Sequence, residues 1–210
     1  MRLSWRIGSL AILCLFWGTI LFLLNRSSQV NKTTEWKEWP AFIQEEMAGV
    51  IPQADAFDWP LRPPDAQGAT CTQGFMQAQS LGESWTVGKG DEALGEPVCA
   101  AANGWVALAI NLESYWGYVV IIIHQIKTET GPEFVESFYS RLRSVDVKVG
   151  DIVKRGQKLG EMGNTDLAGE AYLYFEIRNK LGLQLGAVEG SENGWVSPSD
   201  FIRQHRPSLH

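Results

Sequence analysis

Tyr172 and Tyr174 stand two residues apart in the stretch "AYLYFEIRN", Ala171 to Asn179, directly after the Gly-rich "GNTDLAGE". A β-strand turns alternate side chains to one face, so the two phenols stand side by side. A phenol stacks and both donates and accepts hydrogen bonds. To bind a metal well at neutral pH it must ionise, and bringing a pKa of ~10 down to ~7 takes about 4 kcal/mol. Other groups with chemical capacity are sparse, and the chain has only three histidines. His124, in the apolar "VVIIIHQI", reads as a structural residue whose ring is satisfied inside a core strand, while His205 and His210 fall in the tail. Glu83, Asp91 and Glu170 would offer oxygen ligands to a cation, but they read rather as solvated loop carboxylates.

The elements that carry these groups follow from composition and pattern. At 210 residues and 45% apolar content, the chain supports one folded domain with extensions. A net charge of −6 and a pI near 5.1, with Lys and Arg spread along the chain, exclude nucleic acid as a partner. Ile7 to Leu24 is an uncharged apolar run between Arg6 and Arg26; as a helix it would be roughly 27 Å long, close to the ~30 Å hydrocarbon core. It is long for the apolar part of a signal peptide, and "NRSSQ" after it offers no small-residue cleavage site. Cys14 is not a lipidation site, because bulky Leu13 precedes it and the apolar run continues past it. The expected organisation is a stub at 1–6, a transmembrane anchor at 7–24, a stalk at 25–55, a folded domain at 56–206 and a tail at 207–210. Charges flanking the run do not fix its orientation, and the size of the C-terminal part favours its export. Cys71 and Cys99 would then face an oxidising compartment, where a disulfide between them and two separate buried thiols are both open.

Within the stalk, Pro40 is placed to open a short helix with Phe42, Ile43, Met47 and Val50 on one face, and the alternative is a loosely ordered linker that touches the domain through Trp36 and Trp39. "FDWPLRPPDAQG" is a turn-bearing lead-in. Beyond residue 70 the pattern is β throughout. "PVCAAANGWVALAI" predicts two short strands in a type I′ hairpin about Asn103-Gly104. "GYVVIIIHQI" predicts a strand buried on both faces, paired with "FVESFYSRLRSV" across the loop "KTETGPE". Turns are expected at Gly150-Asp151 and Arg155-Gly156, and a short final helix with Ser197 as N-cap and Pro198 at its first position. Many short strands at regular spacing predict an all-β sandwich or barrel.

"VDVKVGDIVKRGQKLGEMGNT" resembles the turn-strand-turn signature of barrel-sandwich hybrid folds, which include lipoyl and biotinyl carriers, membrane-fusion adaptors and lysostaphin-type (LytM-like) metallopeptidases. No "MKM"-like triplet marks a carrier, and no long heptad helix marks an adaptor. Four further segments resemble the peptidase family, in its order. "SLGESW" looks like that family's "HLGEDW", "GEPVCAAANGWV" like "GTPVYAAADGVV", "FYSRLRSVDVKVGD" like "LYAHLSKILVKVGQ", and "AYLYFEIRN" like "PHLHFEIRN". The close "GWVSPSDFI" is similar to the family's "WLDPxxFI". The resemblance runs from about Phe57 to Arg206 and implies a duplicated hybrid-motif peptidase fold whose substrates are peptidoglycan cross-links.

The same resemblance implies a zinc ion held by the His and Asp of the first motif and the second His of "HLH", with two further His assisting the attacking water. Position by position, these five fall on Ser80, Ser84, Tyr174, Tyr172 and Arg141. Every one is substituted, inside motifs otherwise retained. The resemblance therefore implies a membrane-anchored pseudo-peptidase without catalytic residues, metal or cofactor, its C-terminal domain outside a bacterial inner membrane. Its expected partners are peptidoglycan, a cell-wall hydrolase or another envelope protein. In that reading Tyr172 and Tyr174 stack on a sugar or peptide and Arg141 clamps a carboxylate, or the phenols merely fill the vacated metal cavity. Two alternatives stay open: a metal-dependent endopeptidase with non-standard ligands, and a purely structural envelope interaction module.

Overall fold

The computed structural model describes residues 43, 47–165, 170–182 and 193–207. These residues form ten strands and one α-helix: β1 Ala69–Gln73, β2 Glu83–Val87, β3 Pro97–Cys99, β4 Gly104–Asn111, β5 Tyr118–Thr128, β6 Gly131–Val145, β7 Ile152–Val153, β8 Lys158–Met162, β9 Leu173–Arg178, β10 Trp195–Val196 and α1 Pro198–Gln204. The main sheet runs β1-β2-β9-β6-β5-β4-β7, with β10 on β9 and β8 joining β6 to β3. Every pairing between named strands is antiparallel. The expected all-β character with a short terminal helix is what the chain adopts.

The apolar run "VVIII" supplies Val119 to Ile123, all buried in the middle of β5. One face of the sheet meets the main core, built from Val120 and Ile122 of β5, Tyr139 and Leu142 of β6, Leu173, Phe175 and Ile177 of β9, and Trp85 and Val87 of β2. The β5–β6 hairpin turns on two residues, because Thr128 faces Gly131 across it and the Thr128 hydroxyl donates to Gly131 O at 2.7 Å. Both strands therefore extend into the expected seven-residue loop. Turns at Gly150 and Gly156 carry φ of 94° and 78°, conformations glycine takes without steric cost. At α1, Pro198 occupies the first turn and the Ser197 hydroxyl accepts from Asp200 N–H, as capping chemistry requires.

The hairpin expected at Asn103-Gly104 is not formed. β3 pairs with β8, and β4 with β5 and β7, so the two strands go to different neighbours. Neither Asn103 nor Gly104 has the positive φ a type I′ turn demands. Asn103 works as a tether instead: its Oδ1 accepts from Arg155 N–H at 2.9 Å and its carbonyl meets His124 Nδ1 at 2.8 Å. Gly104 is required by space, since a Cβ there would lie 2.4 Å from Ile122 Cγ2 and 2.7 Å from Ile123 O.

Of the face expected to follow Pro40, Ile43 and Met47 are buried and Val50 is exposed, so Val50 does not belong to the packed side. Phe42, Trp36, Trp39 and the anchor at 7–24 lie outside the described residues. Among the described residues, no helix is long and apolar enough to cross a membrane.

Candidate functional site

β6 is the element on which the site turns. Along its one edge, Glu136 to Ser140 pair with β9, and Leu142 to Val145 pair with β8. The switch occurs at Arg141, whose φ of 67° is left-handed, a conformation that costs a non-glycine residue of order 1 kcal/mol. Its backbone is held on both sides: Arg141 N–H donates to Trp116 O at 2.7 Å, and Arg141 O accepts from Gly163 N–H at 2.8 Å. This residue shifts the inside-outside alternation by one. Tyr139 and Leu142 therefore both reach the main core, and the Arg141 side chain turns towards the opposite face.

Strand β9 supplies that face with Tyr174 and Glu176, and Tyr172 lies just before the strand. The expected strand begins at Leu173 rather than Ala171. Ser84 of β2 stands directly across from Tyr174, and Ser80 lies in the loop before β2. The five positions singled out in the sequence, Ser80, Ser84, Arg141, Tyr172 and Tyr174, all line one cavity of about 250 Å³. Gly82 permits this closeness. A Cβ there would lie 2.6 Å from Phe175 O and 2.9 Å from Tyr174 Cζ, so any other residue would push β2 away from β9.

The Arg141 guanidinium is buried, lies 3.9 Å from the Tyr172 ring centroid and donates from Nη1 to Tyr115 O at 3.3 Å. Stacked in this way, a guanidinium gains cation–π attraction while its face is closed to ligands. Tyr174 packs edge-on to Trp116 at 5.7 Å and Phe138 at 6.3 Å between ring centroids. Burial, and after it the charge of Glu176, hold its phenol well above the ordinary tyrosine range, against a smaller opposing effect of the Ser80 hydroxyl. The ring is therefore a neutral phenol at neutral pH. Glu176 accepts from Arg178 Nε at 2.6 Å and Trp195 Nε1 at 2.9 Å through the same oxygen.

These groups do not fit the zinc ion that the sequence resemblance implies. A neutral phenol and aliphatic hydroxyls are poor zinc ligands, Ser80 Oγ already donates to Gly82 O at 3.0 Å, and Arg141 brings a permanent positive charge to the same cavity. Among the described residues, no group of three or more His, Cys, Asp or Glu is arranged to hold a metal. Glu83, read from sequence as a solvated loop carboxylate, is buried and accepts from Ser199 N–H, the Ser199 hydroxyl and Trp85 Nε1 at 3.1, 2.7 and 3.0 Å. It fixes the start of α1 to β2. Asp91 accepts from Asn164 Nδ2 at 2.8 Å, and Glu170 is exposed.

The Cys71–Cys99 disulfide is likewise not formed: both thiols are free, Cys71 exposed on the outermost strand β1 and Cys99 buried on β3. The two cysteines stand on strands that are not neighbours, since β1 pairs with β2 and β3 with β8. The alternative of two buried thiols fails for Cys71.

His124 has the structural role expected of it. Wholly buried, it has Nδ1 on Asn103 O at 2.8 Å and Nε2 on the Ser137 hydroxyl at 2.7 Å. The carbonyl can only accept, so Nδ1 carries the proton and Nε2 accepts from Ser137. Burial lowers its pKa from 6.5 to about 4. The aromatic wall of the cavity was missed: Tyr115 and Trp116, from "ESYWGY", lie 4.5 Å apart at a 35° tilt in the β4–β5 loop and line it, Trp116 against Tyr174. An adjacent Tyr-Trp pair in a turn between two apolar strands was the available signal.

Residues 89–186 match the model for Peptidase family M23, a span that includes Arg141, Tyr172 and Tyr174 and begins after Ser80 and Ser84. Over 86 residues the chain is 41% identical to an uncharacterised protein of Haemophilus influenzae, covering 41% of this chain and 19% of that one. Over 84 residues it is 34% identical to the cell division protein DipM of Caulobacter vibrioides, covering 40% of this chain and 13% of that one. The match thus spans less than a fifth of either relative's length. A chain in the structure of the SpoIIQ–SpoIIIAH pore-forming complex superposes with a TM-score of 0.50 at 20% identity, covering 73% of this chain and 94% of that one. At that identity the likeness is one of fold.

Proposed function

From the match of residues 89–186 to the model for Peptidase family M23, we propose that this chain is a catalytically inactive, barrel-sandwich hybrid member of that family. It is anchored through residues 7–24 to the bacterial inner membrane, and its domain stands in the extracytoplasmic space. It works there by binding, as a peptidoglycan-associated factor that positions or regulates cell-wall hydrolysis. The observation that carries this reading is the content of the cavity. All five positions aligned with zinc ligands and catalytic imidazoles converge on it, and they hold an Arg141–Tyr172 stack, a neutral Tyr174 and two serines. The scaffold around them is kept, down to the Gly82 contact that lets β2 approach β9. Burial of the guanidinium, with Nη1 already donating to Tyr115 O, also disfavours the carboxylate clamp considered for Arg141.

The test uses the full-length chain purified in mild detergent. Metal content by mass spectrometry and release of soluble fragments from purified sacculi, with and without added zinc, are expected to show no stoichiometric zinc and no release, while the protein sediments with sacculi. Near-stoichiometric zinc together with chelator-sensitive release would overturn the reading.

A further inference from the structure

The cavity's charged groups are already engaged within the protein, as are Ser80 and Gln73, whose side chains donate to Gly82 O at 3.0 Å and Gln77 O at 3.0 Å, while two other neutral groups are not. Arg141 lies beneath Tyr172 with Nη1 on Tyr115 O, and the Glu176 oxygen takes hydrogen bonds from Arg178 and Trp195. Among the described residues, nothing hydrogen-bonds the Gln79 amide or the Ser84 hydroxyl, both of which line the cavity. The Tyr115 ring lines the same cavity, is 54% exposed, and lies 4.5 Å from the Trp116 ring at an interplanar angle of 35°.

This combination selects one ligand class. A peptide carrying carboxylates and amines would have to strip water from its charges and meet no free countercharge, a cost of several kcal/mol per ion. A pyranose ring meets no such cost: its C–H face lies against an aromatic ring, and its hydroxyl or acetamido groups bond to amides and hydroxyls. A volume of about 250 Å³ suits one sugar ring; drug-sized ligands need about 300–1,000 Å³. We propose that the cavity is a subsite for one neutral pyranose ring of a glycan, with Tyr115 as the stacking platform and Gln79 and Ser84 as its hydrogen-bonding partners. This rests on the reading of a non-catalytic binding domain and narrows its ligand to the sugar strand rather than the peptide stem.

The experiment titrates the full-length chain in detergent with chitotetraose, cellotetraose and a synthetic stem tetrapeptide, followed by calorimetry and saturation-transfer NMR. At least one oligosaccharide is expected to bind and the tetrapeptide not. Tyr115→Ala should weaken binding about tenfold while Tyr115→Phe retains it, the loss of one aromatic stacking contact. The exposed position of Tyr115 leaves the unfolding temperature of both variants as a control for folding. Binding of the tetrapeptide alone, binding of no probe, or equal affinities of wild type and Tyr115→Ala would each overturn the subsite. If sacculus retention persists in those cases, only the subsite fails. Zinc-dependent digestion would instead overturn the non-catalytic reading beneath it.

Discussion

Replacing His124 by glutamine and replacing Glu136 by glutamine should change the pH dependence of stability in opposite directions. His124 is wholly buried, and its pKa falls from 6.5 to about 4 because burial disfavours the imidazolium. Between those values the unfolded chain binds a proton that the folded protein does not. The stability His124 contributes is present above 6.5 and is lost as pH falls towards 4, with a slope of about 1.36 kcal/mol per pH unit and a total of about 3 kcal/mol. Glu136 is the mirror case. Burial raises its carboxyl from 4.5 to about 7, against the smaller opposing effect of Arg178, whose Nη1 lies 3.5 Å away. Its contribution is present below 4.5 and lost as pH rises through about 7, again about 3 kcal/mol over the window. From 4.5 to 6.5 the two slopes offset each other in the wild type. Urea denaturation followed by tryptophan fluorescence, at fixed ionic strength from pH 4.5 to 7.5, isolates each group, because all other titrations cancel in the difference between variant and wild type. Stability of His124→Gln relative to wild type should fall with rising pH, and that of Glu136→Gln should rise. Flat difference curves, or two of the same sign, would refute the linkage argument.

Three smaller perturbations test the scaffold around the cavity. Glu83→Ala leaves the Ser199 amide and hydroxyl and the Trp85 indole without their shared acceptor; a loss of about 3 kcal/mol is expected in chemical denaturation, and a loss below about 1 kcal/mol would contradict the buried role of this carboxylate. Gly82→Ala forces a Cβ to within 2.6 Å of Phe175 O, so thermal unfolding should shift down by the equivalent of about 1–3 kcal/mol; an unchanged midpoint would show that β2 and β9 are not so closely apposed. Cys71 should react with a thiol reagent in the native protein and Cys99 only after unfolding, as peptide mapping of the modified chain would show; equal native labelling would contradict the burial of β3.

Much of this architecture was legible in the chain. The unbroken "VVIII" run announced a strand covered on both sides, and Ser197-Pro198 announced a helix start, because such signals depend on neighbours within a few residues. The five cavity positions were legible through motif resemblance, and the structure places them in one cavity. What was misread depended on distant partners. Asn103-Gly104 has the composition of a hairpin turn, yet β3 and β4 leave it for β8 and β5. Glu83 looks like a loop acid, yet a helix start 116 residues later comes to meet it. The adjacent Tyr115-Trp116 pair in a turn was a local signal, but only the packing of the loop against Tyr174 and Arg141 makes it a cavity wall.

The sequence by itself determined the alternation that puts Tyr174 and Glu176 on one face of β9, and the absence of four imidazoles and one carboxylate at the five positions of the resemblance, since both are matters of residue type and period. Only the tertiary structure decided what those substitutes do. Arg141 reaches the cavity because a left-handed turn at the point where β6 changes partners shifts its facing by one residue. Tyr172 lies over its guanidinium, and Tyr174 stays neutral because strands far apart in sequence pack it beside Trp116, Phe138 and Glu176. Partner choice and burial are sums over long-range contacts, and no local pattern of residue types contains them.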